Sequence, residues 1–544
     1  MKVGTRGLAL GLTCVGLGAG LPLLAISTTP GPSTHAARTT ATATAASTEI
    51  ASAASASPAA LPPVRHVFVI VEENEAESTT FGSGSPAPYL SQTLPARGAY
   101  LSQYYGIGHN SLDNYIAMVS GQAPNPDTSG DCQQFVDFPS GSGLASNGQQ
   151  TGEGCVYPAA VPTLMSQLNG AGLTWRAYED GMGADPARDN PGNQGDVDCG
   201  HPIVGTADQT EGETASDQYA TKHDPFVYFH SVIDDQAECD ADVVPLSRLS
   251  ADLQSAATTP NYVFITPSLC DDGHDASCDN GGAGGLAQID TFLRTWVPQI
   301  TGSPAFQQNG LLIVTFDETA GGDDTACCGE YPGPFDSLNG IEPGGGGPGG
   351  GVVGAVLLSP FIAPGTVSSV PYNHFSMLGT VEDLFGLGRL GEAVGLTAFG
   401  TDVFTRAWPV DSGLTVAPGS IAVAAGSSGK HELTISYRDS RAATTQFALA
   451  RLVPGYLTGT GTARCTALRS GRQRPDGAKA CSAALAVGSF THADHVGANT
   501  VRFNGHVGGR ALAAGSYELV ATPALGSVLG AQLTARFRIV PSGR

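Results

Sequence analysis

The sequence predicts an α/β protein, with a mostly parallel sheet flanked by helices, followed by an all-β sandwich at the C-terminus. Three observations carry this reading. Two apolar runs stop abruptly at carboxylates: His66-Val67-Phe68-Val69-Ile70-Val71 runs into Glu72-Glu73-Asn74, and Leu311-Leu312-Ile313-Val314-Thr315-Phe316 runs into Asp317-Glu318. Each is short, continuous and rich in β-branched residues, as a strand buried on both faces must be. Strand-like and helix-like stretches then alternate from about residue 64 to 408, the α/β signature. Beyond residue 410, apolar and polar residues alternate singly between Gly and Pro breaks, which is the pattern of a sandwich.

Taken in order, the predicted strands are 66–71, 261–266 (Asn-Tyr-Val-Phe-Ile-Thr), 311–316 and 352–358 (Val-Val-Gly-Ala-Val-Leu-Leu). The predicted helices are 112–120, 161–170, 286–300 and 374–386. The first of these opens after Ser111, a residue suited to an N-cap. The Gly-rich tract 344–351 reads equally as a lid or as a plain linker. In the last region, Glu432-Leu-Thr-Ile-Ser-Tyr437, Gln446-Phe-Ala-Leu-Ala450 and Tyr517-Glu-Leu-Val-Ala-Thr522 alternate as strands of an immunoglobulin-like sandwich. The turn from Leu512 to Tyr517 suits its last hairpin. The expected organisation is a signal peptide over 1–27, a disordered Ala/Ser/Thr/Pro-rich leader over 28–63, a catalytic domain over 64–408 and a sandwich over 409–544.

Composition narrows the partners. A net charge of −23, from 26 basic and 49 acidic residues, opposes a nucleic-acid partner, whose phosphates require a basic surface. Lys2 and Arg6 ahead of the apolar stretch 7–26 read as a secretory signal. Of 11 cysteines, Cys14 falls in that signal, and the remaining even number suits disulfides in an oxidising, extracellular compartment. Cys465 is expected to pair with Cys481 and Cys270 with Cys278, while the adjacent Cys327 and Cys328 are expected to find different partners.

Four polar clusters carry the chemistry. Ser111, in Gly108-His109-Asn110-Ser111-Leu112-Asp113-Asn114-Tyr115, meets the amides and positive dipole of a helix start, which favour an alkoxide and bind anions. His274 stands among acids in Cys270-Asp271-Asp272-Gly273-His274-Asp275, where it can contact a phosphoryl oxygen, protonate a leaving group or ligate a metal. Asp317-Glu318 supply hard oxygen atoms, and His374 enters the last helix in Tyr372-Asn373-His374-Phe375-Ser376. In open α/β sheets ligands bind beyond the carboxyl ends of strands, so these clusters are expected to converge. Oxygen-rich donors suit Mg²⁺, Mn²⁺, Ca²⁺ or iron, and a divalent metal ion beside a serine would activate it toward a phosphoryl group.

Together, Glu73-Asn74, the Ser-x-x-Asn-Tyr segment at Ser111–Tyr115, the Asp-Gly-His-Asp run at 272–275, Phe316-Asp317-Glu318 and Asn373-His374 resemble the bacterial phosphoesterase family. That family holds secreted acid phosphatases and phospholipases C and is related to alkaline phosphatase. The likeness covers about residues 64 to 408. It implies an alkaline phosphatase-like fold in which Glu73, Asn74, Asp317 and Glu318 hold the metal. Glu73 is preferred to Glu72 because it alone abuts Asn74. The resemblance further implies Ser111 as nucleophile, His274 and His374 as phosphate contacts or acids, and Asn114 as a support of the phosphate pocket. Lys222-His223-Asp224-Pro225-Phe226 is similar to a Lys-His-Asn-Pro-Phe element of the acid-phosphatase branch, which implies a substrate-binding role for His223. Asp224 departs from that pattern, as does Asp113, where the family often has Pro.

The expected function is that of a secreted, metal-dependent phosphomonoesterase working through phosphoserine, with phosphoinositide monoesters among its candidate substrates. A phospholipase C-type phosphodiesterase is the competing activity. A reading of another class is a cell-surface binding protein, its α/β part silent and its C-terminal sandwich touching glycan or cell wall.

Overall fold

The computed structural model describes residues 61–541, apart from 194, 330–348, 424–431, 459–463, 469–472 and 476. The expected signal peptide, all but the end of the leader, and residues 344–348 of the Gly-rich tract lie outside the described residues. Among the described residues no helix is long and apolar enough to cross a membrane.

The main sheet has eight strands: β1 (His66–Glu72), β2 (Ala99–Leu101), β3 (Trp175–Glu179), β4 (Val243–Pro245), β5 (Tyr262–Thr266), β6 (Gly310–Phe316), β7 (Ala355–Leu358) and β8 (Thr366–Ser368). Their order across the sheet is β8-β2-β7-β6-β1-β5-β3-β4. β1 runs parallel to β5 and β6, and β3 and β4 continue the parallel set. This central position explains the unbroken apolar run: Val67 through Val71 are wholly buried, and each large side chain so placed contributes about 1.5–3 kcal/mol. The register sets Ile70 opposite both Ile265 and Val314, so β1, β5 and β6 end at one level and Glu73 leaves the sheet beside Asp317.

One predicted strand needs correction. The run 352–358 becomes a strand only from Ala355, after Gly351 and Gly354 turn the chain in left-handed conformations (φ +77° and +74°). It then runs antiparallel to both β2 and β6. The sheet is therefore large and mixed, and β7 ends away from the edge where β1, β5 and β6 finish. The chain returns to that edge through the short β8, which is parallel to β2, and so delivers His374.

Four helices correspond to the predicted ones: α1 (Ser111–Ser120), α2 (Leu164–Ala171), α3 (Gly285–Gly302) and α4 (His374–Phe385). α2 starts at Leu164, not 161, because Thr163 and Ser166 form a reciprocal capping box there. α1 is buried along its whole length and packs on α4. It begins one residue earlier than expected: Asn110 (φ 81°) is the N-cap, without a side-chain cap bond, and Ser111 is the first helical residue.

In the C-terminal region, strands 411–417, 433–439 and 497–503 form one sheet. Strands 420–422, 533–540, 515–525, 444–458 and 464–467 form a second, joined by 480–493 and 528–529. Leu433 and Ile435 of the first meet Phe447, Leu519 and Phe537 of the second in one apolar cluster, distinct from the core around the main sheet. Cys270–Cys278 and Cys465–Cys481 are bonded as expected, alongside Cys132–Cys155 and Cys199–Cys239. Cys327 and Cys328 are bonded to each other, contrary to expectation, since the other eight described cysteines pair among themselves.

Candidate active site

The ends of three parallel strands are laced together. Glu73 N–H donates to the Asp272 carbonyl at 2.9 Å, and Asp317 N–H to the Glu72 carbonyl at 3.0 Å. Asn74, at φ 58° in the left-handed region that Asn tolerates, donates its backbone N–H to Asp317 Oδ1 at 3.2 Å. Its Nδ2 donates to Glu73 Oε2 at 3.1 Å. Gly273 is favoured in this weave by its left-handed backbone. At its φ of +96° a Cβ would meet Ile289 Cδ1 at 2.5 Å.

Ser111 reaches this cluster from α1. Its hydroxyl donates to Glu73 Oε2 at 3.0 Å, and one helical turn later Tyr115 O–H donates to Glu73 Oε1 at 2.6 Å. As the first helical residue, Ser111 lies among amides that have no partner within the helix. Asn114 holds the preceding loop: its Oδ1 accepts the Ile107 N–H at 2.8 Å, and its Nδ2 donates to the Gly108 carbonyl at 3.0 Å. Both ends of that amide are hydrogen-bonded within the loop and first turn that carry Ser111.

A short turn at Thr221–His223 adds an imidazole. His223 stacks on Tyr115 with ring centroids 5.2 Å apart. Its Nε2 lies 3.5 Å from Glu73 Oε1 and its Nδ1 3.2 Å from Asp272 Oδ2, neither with hydrogen-bond geometry. Glu73, His223 and Asp272 each offer a ligand atom within 4.8 Å of the others, and all three are buried.

Asp272 Oδ2, Asp317 Oδ2 and both nitrogens of His223 are buried without a hydrogen-bond partner. Such orphans cost free energy unless something pairs with them. Burial, then Asp317 and Asp272, pushes the Glu73 carboxyl well above its usual range. Burial above all raises Asp272 well up and carries Asp317 to about 6. His223 is held well below its usual value by burial, then by Lys222 and His274, and so is a neutral imidazole of the ligand form. Three carboxyls and a neutral imidazole around orphaned atoms fit a divalent cation.

The structure places the other expected residues around this group. Both oxygens of Glu318 have protein partners: its Oε2 pairs with His109 Nδ1, and its Oε1 accepts the Asn110 N–H at 2.8 Å. His374 is wholly buried, with Nε2 at 2.6 Å from the Asp317 carbonyl and Nδ1 at 3.1 Å from the Tyr104 hydroxyl. Both of its nitrogens are thus engaged by protein, one of them on the Asp317 backbone. His274 remains a quarter exposed, its Nδ1 3.1 Å from Asp275 Oδ1 and its ring 5.8 Å from that of His223. Asp272 lies in the Asp-Gly-His-Asp run of the sequence, but the resemblance implies no metal role for it. Tyr115 closes the Ser-x-x-Asn-Tyr segment without an implied role, and its place four residues after Ser111 on one helix face is the signal that it joins the site.

The class follows from comparison with known proteins. A model of the Phosphoesterase family matches residues 85–388, more than half of the chain. The chain belongs to that family and is a hydrolase of phosphoric ester bonds. The match covers Ser111, Asp272 and Asp317 but begins after Glu73, which the sheet register brings to them. A phosphatidylinositol-3-phosphatase of Mycobacterium tuberculosis is 26% identical over 335 residues, covering 62% of this chain and 81% of that one. A phosphate-repressible acid phosphatase of Penicillium chrysogenum is 25% identical over 316 residues, covering 58% of each chain, so this chain spans less than two thirds of that relative. A solved alkaline phosphatase superfamily protein of Vibrio parahaemolyticus aligns with 70% of this chain and 76% of its own at 13% identity, but its TM-score of 0.34 is too low to carry weight.

Proposed function

We propose that the protein is a metal-dependent phosphomonoesterase with Ser111 as nucleophile and a phosphoserine intermediate. The observation that carries this reading is the Ser111 hydroxyl, held by Glu73 at the start of a buried helix and next to the orphaned acids. Glu73, His223, Asp272 and Asp317 would hold the divalent cation. When bound, the cation supplies positive charge that neutralises phosphoryl oxygens and favours the serine alkoxide.

Ser111 gives up its hydroxyl proton toward Glu73 Oε2 and attacks phosphorus. The amides of the first turn of α1 face the phosphoryl oxygens. His274, with Nδ1 held by Asp275, donates a proton to the leaving alcohol, and water then opens the phosphoserine. Burial lowers the His274 pKa, so its protonated form belongs to the acid side of neutrality, in keeping with the acid phosphatase relatives. The names of the relatives favour monoesters, including phosphoinositide monoesters, over the diesters of a phospholipase C.

The disulfides suit an oxidising, extracellular compartment. The two C-terminal sheets, with their shared apolar cluster, support reading 409–544 as a sandwich module appended to the 64–408 catalytic domain. Ser111→Ala should abolish release of phosphate from para-nitrophenyl phosphate and leave the melting curve in place. Retained turnover in that variant overturns the assignment, and faster release of diacylglycerol from phosphatidylcholine than of phosphate from monoesters would favour the phospholipase C reading.

A further inference from the structure

The loop before Cys132 sets a carboxylate against the donors that a phosphoryl group needs. Asp131 Oδ1 accepts the Leu112 N–H at 3.1 Å, on the residue next to Ser111. Asp131 Oδ2 lies 3.5 Å from Lys222 Nζ. Lys222 is 6% exposed, and although burial opposes its charge, Asp131, Glu73 and Glu211 keep it an ammonium. The Asp131 carboxylate also acts on His274, Asp317 and Glu318, so it stands within the field of the candidate site. Asp131 and Cys132 both hold left-handed backbone (φ 57° and 52°), a conformation that non-glycine residues seldom take. The loop is tied down by Cys132–Cys155, and the Asp131 side chain is 15% exposed, so solvent reaches it.

A helix-start amide and a buried ammonium are a natural donor pair for a phosphoryl oxygen. Asp131 spans that pair with two anionic oxygens and is not among the acids grouped with His223. We propose that Asp131 is an internal competitor for the phosphoryl position, and that phosphate esters bind by displacing it from Lys222 and the Leu112 amide. Lys222 is then a substrate-binding residue, and Asp131 sets the affinity for both the ester and the phosphate product. This inference rests on the phosphomonoesterase reading of the same site.

The test is calorimetric titration of inorganic phosphate into the full chain in excess Mg²⁺ at pH 8, where phosphate is a dianion. Asp131→Asn and Asp131→Gly both suit a left-handed backbone, and each should tighten phosphate binding by about ten-fold, the order of a charge-assisted contact. Lys222→Gln should weaken it by about ten-fold or more, and Lys222→Arg should restore part of the loss. Glu211→Gln removes another acid near Lys222 that makes no contact with the helix start, and it should change affinity by less than about two-fold.

Unchanged or weaker binding in both Asp131 variants makes Asp131 a plain helix cap and overturns the proposal. An equal gain in Glu211→Gln overturns it too, as general charge relief. The KM for para-nitrophenyl phosphate should fall with the phosphate Kd in the Asp131 variants, a change that a merely structural role would not produce. Wild-type turnover is read separately. Its absence, with Asp131-dependent phosphate binding intact, counts against the hydrolytic reading rather than against the competitor role.

Discussion

His109 and Glu318 pair imidazole to carboxylate, and through that pair the chain after β6 holds the loop that enters α1. Glu318 Oε1 completes the hold by accepting the Asn110 N–H at 2.8 Å. Both oxygens of Glu318 are thus committed to the loop before Ser111, whereas Asp272 Oδ2 is buried and unpartnered.

The two acids should respond differently to neutralisation. Glu318→Gln should weaken metal affinity by about ten-fold, as expected of a supporting residue, and Asp272→Asn by more than about 100-fold. Metal content after dialysis against graded chelator measures both. Equal loss in the two variants would return Glu318 to the ligand set that the sequence resemblance implies.

Removing the metal should also destabilise the fold. A cation bound at 100 times its dissociation constant adds about 2.7 kcal/mol to the native state. Without it, Glu73, Asp272 and Asp317 are buried acids that must take up protons or repel one another. Chelator should therefore lower the melting temperature, and added metal should restore it. Asp317→Asn should melt higher than wild type in chelator, because one orphaned carboxylate is gone, and should gain less from metal. A chelator-independent melting curve for the wild type would show that the acid cluster holds no structural cation.

The Cys270–Cys278 bond closes the loop carrying Asp272 and His274, with eight residues of sequence separation. Replacing both cysteines with serine should cost about 2–3 kcal/mol by loop entropy alone. Turnover should fall further than that stability loss accounts for, because the loop places both a ligand and the proposed acid. Measuring kcat well below the melting temperature separates the two effects. A variant that is less stable yet fully active at low temperature would confine the bond to a structural role.

What could be read from the sequence follows burial pattern. β1, β5 and β6 sit mid-sheet with both faces covered, so their apolar runs are unambiguous and the acids after them are correctly placed at one edge. β2, β7 and β8 are short or turned by glycines, and a run such as 352–358 says nothing about strand direction. Ser111 and Glu73 were legible because a helix start and a strand end have local signatures. The partition of the acids was not: whether Glu318 or Asp272 faces His223 depends on side-chain direction after the strand ends, which spacing does not encode. His223 is carried in by a turn far from β1, where no periodicity marks it and only the Lys-His-Asp-Pro-Phe segment points to it.

Glu382, on α4 and away from the acid cluster, should govern part of the pH dependence of stability. It is wholly buried; its Oε1 accepts the Leu390 N–H at 3.0 Å, while its Oε2 and Gln167 Oε1 are buried without hydrogen-bond partners. Burial lifts its pKa to about 8, despite the Leu390 bond and the nearby Arg389. From the free carboxyl value near 4.5 up to about 8 the folded protein keeps this proton and the unfolded chain does not. The unfolded state then binds fewer protons, so this contribution to stability is present below pH 4.5 and is lost as the pH rises through 8. Glu382→Gln should abolish that slope. Its carbonyl oxygen can keep the Leu390 N–H, and its amide can donate toward Gln167 Oε1. The variant should match wild type near pH 5 and exceed it near pH 9, by up to about 4 kcal/mol. Chemical denaturation at the two pH values measures this difference, and an equal shift at both would mean that Glu382 is ionised throughout.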